Sequence, residues 1–160
     1  MSFRAALVDD LRAEASINSI VDTRIFDMFY EFEDFLNSSA NSVSKFPAMT
    51  VEQDTWEREN NLDVHDNLIY ASYTVTCYQV VNLSKFKSRS QNVRDEERDK
   101  LREVDTLQEA VVNYLIDKRG SLGSYTVLKS HIENVSDGVF ESENNREVVT
   151  REITYSITFS

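Results

Sequence analysis

Glycine and proline are scarce, three and one in 160 residues. That excludes collagen-like and low-complexity chains and leaves few positions for tight turns. Three glycines can hardly build a phosphate-cradling loop, and neither GxxxxGKS/T nor GxGxxG occurs. The lone cysteine, Cys77, excludes an internal disulfide. With only His65 and His131 beside it, scattered and without CxxC or HxxxH spacing, a zinc site is excluded as well. No apolar run approaches the roughly 20 residues that span a bilayer. The opening MSFRAALVDDLRAEA carries Asp9, Asp10 and Glu14 and lacks a signal-peptide core. A soluble, unsecreted protein of a reducing cytoplasm is expected, with no membrane partner.

Positive charge is also short: 17 basic residues face 28 acidic ones, a formal charge of -11. The average field repels phosphates, so tight nucleic-acid binding is disfavoured. The basic residues of 85–102 are interleaved with Asp95, Glu96, Glu97, Asp99 and Glu103, the pattern of a solvated helix face with mixed-sign pairs such as Glu96 with Lys100. Carboxylates are abundant at Glu57–Asp66 and Glu141–Glu147, but without the D-x-D-x-D-G spacing of a calcium loop. Asp9 with Asp10, or Glu96 with Glu97, point about 100° apart on a helix and do not converge on a substrate. A Cys77–His131 pair is the one nucleophile and base left to consider, and Cys77 reads as a buried structural residue in an alternating strand. No catalytic residue, cofactor or metal ligand is expected, and the chain is read as a non-enzyme.

What the sequence does contain is pattern, with 41 % apolar residues and 11 % aromatics. Phe3, Ala6, Leu7, Leu11 and Ala15 recur at helical spacing, with Ser2 as N-cap. The aromatic and acidic run Phe26–Leu36 reads as a short helix followed by a polar loop to Lys45. Pro47 opens a strand over Ala48–Trp56, and Leu68–Tyr78 is a second, with Ile69, Ala71, Tyr73, Val75 and Cys77 on the core side and Ser72, Thr74 and Thr76 on a solvent or partner side. Between them Glu57, Glu59, Asp63 and Asp66 are opposed only by Arg58, which predicts a long hairpin with an acidic tip. A helix follows, strongest over Leu101–Lys118, with a charged front from Asn92 that projects with little packing and Gly120 as its stop. Strands over Tyr125–Val135 and Glu147–Phe159 close the chain, the turn falling in 136–146; Ile153, Tyr155, Ile157 and Phe159 face the core. The fold class is α+β in the order α-β-β-α-β-β: one domain over 1–160, a four-stranded antiparallel sheet with helices on one face and long hairpins.

Several segments carry a likeness: FRAALVDDL in the first helix, Ile20-Val-Asp-Thr-Arg-Ile-Phe26, the strand opening Phe46-Pro-Ala-Met-Thr-Val51, Val75-Thr-Cys-Tyr78, the long second helix and Ile153-Thr-Tyr-Ser-Ile-Thr-Phe159. In that order they resemble the tail terminator, or tail completion, proteins of long-tailed bacteriophages. The resemblance spans nearly the whole chain but rests on element order and soft motifs. The insert at 27–45 and the charged front of the second helix depart from it. It implies a homo-hexameric ring on the last ring of the tail tube, ending its polymerisation and meeting the head connector. DNA would pass through the lumen unbound. The place implied is the head-proximal end of the virion tail, after assembly in the host cytoplasm. The acidity suits such a channel, and Glu57, Glu59, Asp63 and Asp66 are candidates for lumen or rim. A head-completion (stopper) ring protein and an acidic DNA-mimic inhibitor are the alternative readings.

Overall fold

The computed structural model describes residues 2–27, 46–58, 68–116, 118–141 and 146–160. Helices α1 (Phe3–Ala13) and α2 (Ala15–Val21) open the chain, followed by strands β1 (Ile25–Phe26), β2 (Ala48–Arg58) and β3 (Ile69–Asn82). The short helix α3 (Leu83–Phe86), the long helix α4 (Gln91–Ile116), and strands β4 (Gly120–Leu122), β5 (Tyr125–Glu141) and β6 (Arg146–Phe159) complete it. The strands form one sheet in the order β1-β2-β3-β6-β5-β4. The class is α+β, but among the described residues the sheet has six strands where four are expected. The two missed are the flanking β1 and β4, two and three residues long, too short to show alternation. β1 also pairs in parallel, with β2.

Ser2 caps α1 by accepting the Ala5 N–H at 3.1 Å. The apolar stripe Phe3, Leu7 and Leu11, widened by Ala6 and Val8, is buried on the sheet. The helix ends two residues earlier than its periodicity predicts, because Glu14 is extended (ψ 116°). Ala15 therefore starts α2 on the exposed side, and Ile17 and Val21 take over the burial. α4 contributes Val104, Leu107, Val111 and Leu115 to the same core. Its end lies at Ile116, and Gly120 (φ +89°) opens β4 instead of closing the helix.

The centre is β3 against β6, paired from Ile69↔Phe159 to Asn82↔Arg146 without a register shift. Tyr73, Val75, Cys77, Ile153, Tyr155 and Ile157 all lie in the core beneath the helices, with Ile69 partly buried at its margin. Phe3 stacks on Phe159 with ring centroids 3.8 Å apart and meets Tyr125 edge-on at 5.4 Å. The outer strands are less regular. β5 is bulged between Val127 and Lys129 and again between Ile132 and Asn134, and each bulge shifts which residues face the core. That is why its alternation is weak. β5 also continues through Ser136-Asp137-Gly138, where a turn is expected. Gly138 instead gives Thr150 room, since a Cβ there would lie 2.6 Å from Thr150 Oγ1.

Tyr155 Oη is buried with no hydrogen-bond partner, and such a group carries an unreturned desolvation cost. Tyr155→Phe is expected to leave thermal stability unchanged or raise it; a loss above about 1 kcal/mol on chemical denaturation would show that the hydroxyl is satisfied. Gly123, between β4 and β5, has φ +59°, and its Cβ would meet Ala6 Cβ at 3.1 Å. Gly123→Ala is expected to cost about 1–2 kcal/mol by the same measurement.

Candidate functional site

The helices cover one face of the sheet; the other is divided. Toward the chain's first strand it carries a small apolar cluster, Phe46, Ala48, Tyr78 and Val148, with Phe26 and Val80 packed against it. Tyr78 exchanges a hydrogen bond with Thr50 Oγ1 at 3.2 Å. Burial pushes the Tyr78 phenol up, against the opposing hydrogen bonds of Thr50 and Thr76. Thr76 is thus buried, not displayed as the strand's alternation predicts. Alternation assigns a face but not what covers it.

The remaining half presents hydroxyls. Thr55 and Ser72 share a hydrogen bond of 2.8 Å, Thr74 donates to Asp54 Oδ2 at 2.6 Å, and Thr74 lies 3.4 Å from Thr154. A shallow groove of about 590 Å³ crosses this half, with Glu57 and Tyr70 on one side and Lys129 and His131 on the other. Its lining mixes apolar side chains with polar ones of both signs. A second groove, about 640 Å³, runs along the helical side between Glu14, Glu109, Tyr114 and Lys118. At its head Asp10 accepts from Tyr114 and, at 2.5 Å, from Lys118 Nζ, fastening α1 to the end of α4.

Of the acidic hairpin, Glu57 is exposed on the open face, while Glu59, Asp63 and Asp66 lie outside the described residues, as does His65. The run 28–45 lies outside them too. Cys77 and His131 are not brought together: Cys77 belongs to the core beneath the helices, whereas His131 lines the groove on the opposite face. Burial pushes the Cys77 thiol up to about 12, the nearby Arg151 charge only partly opposing it. The thiolate that nucleophilic chemistry needs is therefore not formed near neutral pH. Among the described residues, no group of three or more His, Cys, Asp or Glu side chains could hold a metal ion, and no helix is long and apolar enough to cross a membrane.

One charged residue lies where its sequence neighbours gave no warning. Glu97, in the charged front of α4, is 0 % exposed. Its Oε1 receives Lys100 Nζ at 2.7 Å with Lys85 Nζ at 3.8 Å, and its Oε2 receives the Asn82 N–H at 2.9 Å. The front of the helix is thereby clamped to the end of β3 and to α3. Lys100 pairs with Glu97, not with Glu96, whereas Arg98–Asp95 and Arg102–Asp99 are the solvent-exposed pairs that the pattern predicts. A second clamp, Arg151 Nε to Asp105 at 2.7 Å and Asp137 at 3.4 Å, joins α4 to β6 and β5.

No protein-family model and no curated protein matches the chain. Among solved structures it is similar to a chain in the virion of a native gene transfer agent (GTA) particle. The TM-score is 0.53 at 10 % identity, covering 97 % of this chain and 93 % of that one. At that identity the likeness concerns the fold.

Burial alone would raise the Glu97 carboxyl, but the hydrogen bonds from Lys100 and Asn82 and the charges of Lys100 and Lys85 outweigh it and hold it below the ordinary glutamate value. A depressed value in the folded state stabilises fully above the unfolded pKa of about 4.3 and is lost as pH falls through the folded value. Glu97→Gln is expected to cost about 1–3 kcal/mol at pH 7. In denaturation curves taken at descending pH, that gap should narrow only below the ordinary glutamate range.

Proposed function

We propose that this chain is a structural subunit of a virion that acts through its surfaces. In finer terms it is a tail terminator: a ring that caps the tail tube, ends its polymerisation and joins the tail to the head connector. The observation that carries the reading is the likeness of fold, over 97 % of the chain, to a chain of a virion particle. A sequence resemblance of element order leads to the same kind of protein from a different direction. The open, hydroxyl-rich half of the sheet and its mixed-charge groove supply contact area, while the one cysteine is sealed in the core.

The net charge of -11 fits a passage for DNA. A duplex sliding past an acidic wall meets repulsion at every phosphate and no site at which to stop. Glu57, exposed on the open face, and the acidic Glu59, Asp63 and Asp66 that follow it in sequence are assigned to lumen or rim. The tube protein and the connector would take the two ends of the ring.

Negative-stain microscopy of the chain, alone and mixed with tail-tube protein, tests this. Six-fold rings that bind tube ends and shorten the tubes are expected. Rings that associate with portal complexes and ignore tubes would move the chain to the head-completion class, and an unassembled chain under both conditions would overturn the ring.

A further inference from the structure

Among the described residues the sheet leaves two edges open. On one side β1 covers only Met49 and Thr50, so among the described residues Val51–Arg58 of β2 have no neighbour beyond β3. On the other side β4 covers only Tyr125–Val127, and β5 is likewise free from Lys129 to Glu141. Unpaired N–H and C=O groups along such stretches are a template for another strand. Natural edges are blunted by Pro, brevity, charge or bulges; neither stretch contains a proline, β5 is 17 residues long, and from Asn134 to Glu141 it runs without a bulge.

The two edges match in direction. Each step β2 to β3, β3 to β6 and β6 to β5 is antiparallel, so β2 and β5 run opposite ways. A second copy displaced along the sheet without being turned over therefore brings its β2 antiparallel to the first copy's β5, helices staying on the same side.

The edges also match in chemistry on the helical face. On the helical side, Trp56 of β2 is 49 % exposed, while Val135 and Val139 of β5 are 47 % and 59 % exposed. Their strand partners, Ala71, Ile153 and Val149, are buried, which fixes the side they occupy. Asp137 lies between Val135 and Val139 on that same face, its charge paired with Arg151 at 3.4 Å.

We infer that β5 of one copy adds antiparallel to β2 of the next, seating Trp56 against Val135 and Val139. The contact is head-to-tail, uses different patches on the two copies and leaves a free edge at each end, as a ring requires before it closes. It rests on the ring reading above and names the surface that builds it.

Trp56 is the one tryptophan of the chain, so its fluorescence reports this contact directly. Sedimentation velocity of the full chain over a concentration series, with acrylamide quenching at each point, is the test. As oligomer forms, Trp56 emission should shift to shorter wavelength and its quenching constant should fall by half or more. Val135→Lys with Val139→Lys, both exposed in the single copy, should abolish oligomer and keep Trp56 quenchable. Circular dichroism checks that this variant folds. Oligomer whose Trp56 stays as quenchable as in dilute solution, or a folded double variant that assembles like wild type, would overturn the edge pairing and leave the ring standing. A chain monomeric up to millimolar concentration would overturn the pairing, while the ring itself is judged separately by microscopy with tube protein.

Discussion

The pairing of β3 with β6, fourteen residues against fourteen without a break, is the constraint on which the rest of the molecule depends. Because side chains alternate strictly along an unbulged strand, this one ladder decides which residues the helices must cover. Tyr73, Val75, Cys77, Ile153, Tyr155 and Ile157 go beneath α1 and α4, and Ser72, Thr74, Thr154 and Ser156 go to the other side. The strands are far apart in sequence, so the pairing carries a large loop-closure cost. The continuous apolar row, with Phe3 stacked on Phe159, offsets it. Outer strands add to this centre with bulges, and the sheet frays into short β1 and β4.

How far the fold was legible follows from the same ladder. Where a strand keeps its period, as in Ile153–Phe159 or Ala71–Val75, the helices cover the side that alternation assigns to the core. Where bulges shift the phase, as between Val127 and Lys129, the pattern blurs and the length of β5 is underestimated. Gly138 looked like a turn residue and serves a close approach to Thr150 instead, a tertiary reason with no local signature. Glu97 was illegible for a related cause. It sits among seven other charged residues between Arg94 and Arg102, and only the docking of α3 and the end of β3 makes it the buried one. Of the candidate site, the hydroxyl row of the open face was readable from alternation, whereas its division into a covered and an uncovered half was not.

Chemistry and surface point the same way. Cys77 is sealed beneath the helices and held protonated by burial, His131 lies across the sheet from it, and the charged residues of α4 are spent on clamps and exposed pairs. The described residues offer outward an open hydroxyl face and two unpaired edges of opposite direction, and the whole chain carries a formal charge of -11. Those properties suit the proposed subunit, which would meet other proteins side by side and let a polyanion pass.

Whether that subunit is built into a virion at the junction the account assigns to it is the central question. Immunogold labelling of intact virions with antibody against this chain answers it most directly. Gold confined to the head-proximal end of the tail is expected, whereas virions that carry none of the chain would contradict a structural role there.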